Sequence, residues 1–177
     1  MRTFIAINIP TTIKDTIVNE MSILRKEHPA NYTKPENLHL TLCFIGEISE
    51  KEVPSIKEAL TEINLSSFDW QIEKYSYFKM SSKGILTRKI ITGREMYDYQ
   101  KQLIDTLIRK GFSIERRKFF PHITIAREID LFKLNFTSLN EGLTFPRIIT
   151  NKVDLMVSER INGKLFYRSI FSVGANK

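Results

Sequence analysis

The chain has 177 residues, 42% hydrophobic and 27% charged, with seven glycines, six prolines and no low-complexity tract, which excludes a disordered or fibrous protein. A formal net charge of +7 favours an anionic partner, nucleic acid first, although a solvated lysine-rich surface gives the same count. One cysteine, Cys43, excludes an internal disulfide and a cysteine metal cage; with no signal-peptide or membrane-spanning run, the expectation is a cytoplasmic protein that does not enter a membrane.

Phe4 to Ile9 is a β-branched run closed by Pro10, so a strand. Thr11 or Thr12 then caps a helix marked by Ile13, Ile17, Met21 and Leu24, which fades before His28-Pro29. A loop over 29–36 leads into Asn37-Leu38-His39-Leu40-Thr41-Leu42-Cys43-Phe44-Ile45, a strand ending near Gly46. Strict alternation puts Leu38, Leu40, Leu42 and Phe44 on one face and His39, Thr41 and Cys43 on the other. Ser49 to Glu52 fits a capping box before a helix with Val53, Ile56, Leu60 and Ile63 on one stripe. Strands follow at 68–78 and 84–92, joined by a hairpin turn over 79–83. Next comes a helix over 95–110 with Met96, Tyr99, Leu103 and Leu107 buried and Gly111 at its C-terminal cap. Pro121-His122-Ile123-Thr124-Ile125-Ala126-Arg127 forms a further strand, and 152–157 and 165–172 pair around an Asn162-Gly163 turn. Strands meeting by short turns among helices predict an α+β fold with antiparallel pairing, within one domain over 1–177.

The second histidine strand repeats the first. His39-Leu40-Thr41-Leu42 and His122-Ile123-Thr124-Ile125 share the pattern histidine, aliphatic, threonine, aliphatic, 83 residues apart. The same shift lays Ile13, Ile17, Met21 and Leu24 on Met96, Gln100, Ile104 and Leu107. An internal duplication of helix, loop and strand accounts for both. Two half-buried histidines bonded to neighbouring hydroxyls would be the structural explanation for either copy alone; the matched pair in a basic chain favours chemistry.

Two imidazoles across a cleft form an acid–base pair, since a pKa near 6.5 allows one to be neutral while the other is protonated. In-line attack at phosphorus places nucleophile and leaving group on opposite sides, so the two should come from opposite walls. The threonine hydroxyls can donate to non-bridging oxygens. A metal site would want a carboxylate or cysteine ligand that neither motif carries, so no metal and no cofactor are expected. His28 reads as a surface loop residue, and Trp70 and Tyr75-Ser76-Tyr77-Phe78 as core or sheet surface. Arg116-Arg117-Lys118 could guide an RNA backbone or be a solvated run.

Over nearly its whole length the chain resembles the two-histidine phosphoesterase superfamily, and within it the RNA 2′,3′-cyclic phosphodiesterases, also called 2′-5′ RNA ligases. The resemblance is carried by Arg2 to Ile7, Pro35 to Leu42 with Phe44-Ile45-Gly46-Glu47, Phe120 to Arg127, and Val153 to Glu159. It implies two pseudo-symmetric lobes, each an antiparallel sheet with helices outside, around an active-site cleft. It also implies metal-independent hydrolysis of an RNA 2′,3′-cyclic phosphate end to a 2′-phosphomonoester. Carried over, His39 is the proton donor, His122 the proton acceptor, and Thr41 and Thr124 bind phosphate. Arg127 matches a phosphate-contacting residue, but alternation puts it on the face of Ile123 and Ile125 unless the strand ends or bulges. Tyr32 stands where relatives often have Trp and is a candidate base-stacking platform. The expected partner is RNA or a nucleotide with a cyclic phosphate end, and the expected state a monomer. A binding module without catalysis, a 2′-5′ ligase, and an enzyme for another small cyclic phosphate are the competing readings.

Overall fold

The computed structural model describes residues 1–80 and 83–175. The strands are β1 (Arg2–Asn8), β2 (Asn31–Tyr32), β3 (His39–Glu47), β4 (Phe68–Met80), β5 (Lys83–Thr92), β6 (His122–Ile129), β7 (Arg147–Thr150), β8 (Lys152–Ile161) and β9 (Lys164–Gly174). The helices are α1 (Thr11–Glu27), α2 (Val53–Glu62), α3 (Arg94–Arg109) and α4 (Phe136–Asn140). Among the described residues no helix is long and apolar enough to cross a membrane.

The expected α+β architecture is present, and the strands of both halves run in one antiparallel sheet. Its order is β7-β4-β5-β6-β3-β1-β8-β9, with β2 added beside β6. The order reads the same from either end: each half is a motif strand, β3 or β6, backed by three further strands. The halves meet at one described pair, Leu40 opposite Ile123. These are the matching residues of the two motifs, so the pseudo-two-fold axis runs between them. Both are completely buried.

The helices interlock the halves. Glu20 on α1 accepts hydrogen bonds from Arg88 on β5 and from the Tyr75 hydroxyl on β4 (2.9 Å), so α1 packs behind the second half. Gln100 on α3 donates to the Leu42 carbonyl on β3 at 3.3 Å, behind the first. Gln100 fills a helical core position because it satisfies that carbonyl. Arg88 is 1% exposed and also donates to the Glu73 and Thr144 carbonyls, as a buried cation must to be tolerated. The main core draws from both halves: Ile5, Ile7, Leu40 and Leu42 meet Leu86, Ile123 and Ile125 under Ile17, Met21, Leu103 and Leu107.

Local signals resolve as follows. No threonine caps α1; Pro10 precedes it, and its carbonyl takes the Ile13 and Lys14 N–H groups at 3.0 Å. Glu52 accepts from the Ser49 N–H and hydroxyl, both at 2.8 Å, and the chain makes a 3₁₀ turn before α2. Gly111 has φ +93, and the Gly111 and Phe112 N–H groups close the end of α3 on the Ile108 and Leu107 carbonyls. Asn162 and Gly163 have φ +50 and +74, the backbone a tight β8–β9 hairpin demands. The β4–β5 turn includes Ser81 and Ser82, which lie outside the described residues.

Both motif strands break alternation at the same place. In β3, Ala6 pairs with Thr41 and Ile5 with Cys43, so Leu42 is an extra residue. In β6, Thr87 pairs with Thr124 and Leu86 with Ala126, so Ile125 is extra. These β-bulges lie at equivalent positions. Their carbonyls are satisfied from outside: Leu42 by Gln100, and Ile125 by the Thr33 N–H at 2.9 Å. Beyond each bulge the faces exchange. Cys43, expected beside His39, is in the core, and Phe44, expected in the core, is 59% exposed.

Candidate active site

Before the bulges, His39 and Thr41 on β3 and His122 and Thr124 on β6 are half-buried, alternating with fully buried aliphatics. With Leu40 opposite Ile123, all four therefore share the face of the sheet away from the core, on either side of the axis. With this register His39 is diagonal to His122, a relation that in a regular antiparallel ladder separates two residues by about 7–8 Å, their Cβ atoms by somewhat less.

The two imidazoles are held alike. His39 Nδ1 donates to the Asn37 carbonyl at 2.7 Å, and His122 Nδ1 to the Phe120 carbonyl at 2.6 Å. That assigns the neutral tautomer and leaves each Nε2 with its lone pair. On His39 the Thr41 hydroxyl donates to Nε2 at 2.8 Å. Asn37 is 5% exposed and locks the first motif to β9: its amide donates to the Leu165 carbonyl at 2.9 Å, and its Oδ1 accepts the Tyr167 N–H at 3.1 Å.

Aromatic rings flank both histidines. His39 packs between Phe4 (ring centroids 4.9 Å) and Tyr167 (5.2 Å). His122 meets Phe78 at 4.9 Å. These surroundings set the electrostatics. Burial pulls the His39 pKa down to about 4; the Asn37 bond opposes it, and the charges of His122, Arg127 and Lys14 lower it further. Burial, then Arg127, lowers His122 as well, against the Phe120 bond. The charge of His122 is among those acting on His39, so the two imidazoles are neighbours on this face.

The bulge at Ile125 answers the question posed by Arg127. Alternation alone would put it with the core; the extra residue turns it outward, where it is exposed and its charge reaches both histidines. Phe44 takes the matching place in the first half. Tyr32 is not on this face. It pairs with Ala126, packs against the main core, donates its hydroxyl to the His28 carbonyl at 2.8 Å, and lies under the Arg25 guanidinium. These contacts engage Tyr32 with α1 and the core rather than with the two histidines.

Composition and spacing missed several participants. Lys14 in the first turn of α1 acts on His39 across the fold, and Phe4, Tyr167 and Phe78 reach the imidazoles from distant strands. Asn37 belongs to the Pro35–Leu42 block, but its bonds to β9 had no local signal. Of the remaining candidates, Trp70 and Tyr75 are core residues, and His28 closes α1 through its N–H to the Leu24 carbonyl. Arg116 pairs with Asp105 and Arg117 with Glu115, while Lys118 lies over the Phe120 ring. Among the described residues no three His, Cys, Asp or Glu side chains gather as metal ligands.

The LigT like Phosphoesterase family model matches residues 7–86, which contain the first motif. An RNA 2′,3′-cyclic phosphodiesterase of Thermotoga maritima is 34% identical over 153 residues, covering 84% of this chain and 80% of its own. One from Methanocaldococcus jannaschii is 32% identical over 130 residues, covering 72% and 71%. The crystal structure of E. coli LigT complexed with 3′-AMP has the same fold, with TM-score 0.78 at 22% identity over 99% of this chain and 98% of that one. Identity at this level, spread across both halves of the duplicated sheet, shows that the chain belongs to the family of LigT-like phosphoesterase enzymes.

Proposed function

We propose that the histidine face hydrolyses the 2′,3′-cyclic phosphodiester at the end of an RNA chain to a 2′-phosphomonoester. His122 Nε2 takes a proton from water as its oxygen attacks phosphorus. The P–O3′ bond breaks on the opposite side, and His39 Nε2–H gives its proton to the departing 3′ oxygen. Thr41, Thr124 and Arg127 hold the non-bridging oxygens. The observation that carries the reading is the pair of like-oriented imidazoles on either side of the Leu40–Ile123 axis, each with Nδ1 fixed on a carbonyl and Nε2 directed to the motif face, where on His39 it meets the Thr41 hydroxyl. The relatives at 34% and 32% identity, both RNA 2′,3′-cyclic phosphodiesterases, support the substrate.

One observation favours exchanged roles. With His39 drawn down to about 4 and His122 less perturbed, the unliganded protein puts a shared proton on His122. Under the primary assignment, the bound phosphate anion must return that proton to His39. A short RNA with a 2′,3′-cyclic phosphate end tests the reaction. Wild type should give the 2′-phosphate, and His39→Ala and His122→Ala should each lower kcat by about 10²–10⁴-fold. Replacing the bridging 3′ oxygen with sulfur, which leaves without protonation, should rescue only the variant lacking the donor. Rescue of His122→Ala alone reverses the roles. A joined RNA product, or full turnover by either variant, overturns the proposal.

A further inference from the structure

The duplication that repeats the motifs also repeats a contact beside them, and its two copies are filled differently. The shift of 83 residues lays Lys14 on Tyr97 and Glu36 on Phe119. In the second half that place is aromatic: Tyr97, in the first turn of α3, meets Phe119 edge-on just ahead of the second motif, with ring centroids 5.6 Å apart. In the first half it is charged. Lys14 stands in the first turn of α1 with its N–H on the Pro10 carbonyl, and α1 touches the 3₁₀ turn Pro35–Asn37, which carries Glu36 and leads into His39. The chain arrives at Lys14 directly from Asn8, the register partner of His39. Among the described residues Lys14 forms no salt bridge and no side-chain hydrogen bond; Glu36 acts on it only from beyond ion-pair distance. The half-buried stem therefore brings to the His39 wall an ammonium that is partly desolvated and unmatched. Its charge acts on His39 and not on His122.

We propose that Lys14 binds the phosphodiester that joins the terminal nucleotide to the rest of the RNA chain, one ribose away from the cyclic phosphate. This rests on the hydrolytic reading with His39 as donor. The leaving 3′ oxygen and its ribose then lie toward the β3 wall, and the 5′ phosphate of that ribose is the nearest further anion. The two side-chain cations that act on His39 thereby serve different groups: Arg127 faces the cyclic phosphate, and Lys14 the 5′ phosphate beyond His39. A free nucleoside 2′,3′-cyclic phosphate lacks that second anion, so Lys14 distinguishes an RNA end from a mononucleotide. The contact is indifferent to the base, because a phosphate carries no sequence information. An ammonium on a flexible stem suits the task, which needs reach and charge rather than bidentate geometry.

The test compares 5′-phosphoadenosine 2′,3′-cyclic phosphate with adenosine 2′,3′-cyclic phosphate. Wild type should prefer the first in kcat/KM by about 5- to 50-fold, through KM rather than kcat, and added salt should erode the preference. Lys14→Gln should abolish the preference, and Lys14→Arg should keep it. A change in His39 basicity acts on both substrates alike and cancels in the ratio. A preference that survives in Lys14→Gln, whether or not both rates fall, would overturn the proposal, since Lys14 would then serve only His39 or the cyclic phosphate. Wild type without a preference would overturn it too. Collapse with Lys89→Gln instead would do the same, by moving the ribose to the β6 wall. Failure of wild type to turn over either compound would refute the hydrolytic reading itself, a separate outcome.

Discussion

Replacing Arg127 by Gln should raise the pKa of both histidines, and replacing Lys14 by Gln should raise only that of His39. Arg127 acts on both imidazoles, whereas Lys14 acts on His39 alone. A unit charge roughly 6 Å away, seen through an effective dielectric of about 40–80 at a half-exposed site, is worth about 0.7–1.4 kcal/mol, or about 0.5–1 pH unit. Each substitution should therefore move its targets upward by that amount, and the shifts should shrink as salt screens the charges. The imidazole Cε1 protons can be followed by NMR from pH 3 to 8 in wild type and both variants. Wild-type His39 should titrate near 4 and His122 should also titrate below the ordinary histidine value, as two coupled macroscopic steps. Lys89→Gln is the control: Lys89 pairs in register with His122, but its ammonium is 2.9 Å from Glu73 and it is not among the charges acting on either ring. The electrostatic account fails if Arg127→Gln leaves both midpoints in place, or if Lys14→Gln moves His122 as far as His39.

Leu40→Ala removes a fully buried side chain where the halves meet and should cost about 2–5 kcal/mol in urea unfolding; a loss below about 1 kcal/mol would mean the junction is held elsewhere. Glu20→Gln strips the buried Arg88 of its counter-charge and should cost about 3–5 kcal/mol, whereas a near-neutral result would show Arg88 satisfied by the two carbonyls. Asn37→Ala breaks two side-chain bonds to β9 and should lower stability by about 1–3 kcal/mol and also kcat, because those bonds fix the backbone carbonyl that orients His39 and that alanine retains without its anchor; an unaltered kcat would separate the two roles. Between pH 6.5 and 4 the unfolded chain binds a proton at His39 that the folded chain refuses, so stability is full above that window and falls on acidification by up to about 3 kcal/mol. His39→Asn should flatten that slope in denaturation measured across the window, and an unchanged slope would show that other groups dominate.

Much of the fold was legible because its signals are local. The helices α1, α2 and α3 follow three- and four-residue apolar spacing, and the long strands follow alternation or unbroken apolar runs. β2 and β7, of two and four residues, and α4, of five, are too short for any period to register; they form because a neighbouring strand or β4 receives them. The shared face of His39, Thr41, His122 and Thr124 was readable from alternation up to the bulge and no further. Cys43, Phe44 and Arg127 lie past it, where one extra residue inverts every side chain. The aromatic partners of the histidines were invisible for another reason. Phe4 and Tyr167 reach His39 through β1 and β9, and nothing local to the motif says which strands lie alongside.

A duplicated scaffold poses a chemical difficulty that its asymmetries resolve. Two identical half-sites would give two imidazoles of equal basicity, with no preference for which holds the proton. Here the symmetric parts are those that must be alike: the register at Leu40 and Ile123, the Nδ1 bonds to carbonyls two residues back, and the bulges that turn the next side chain outward. The parts that differ are electrostatic. The first half encloses its histidine between Phe4 and Tyr167 and presents Phe44; the second flanks its histidine with Phe78 and presents Arg127. Burial thus weighs more on His39, and the pair is unequal before any substrate arrives. An anion between the rings stabilises the protonated form of whichever lies nearer the developing charge on the leaving oxygen. On this account swapping Phe44 and Arg127 between the walls should change the proton distribution without moving either histidine.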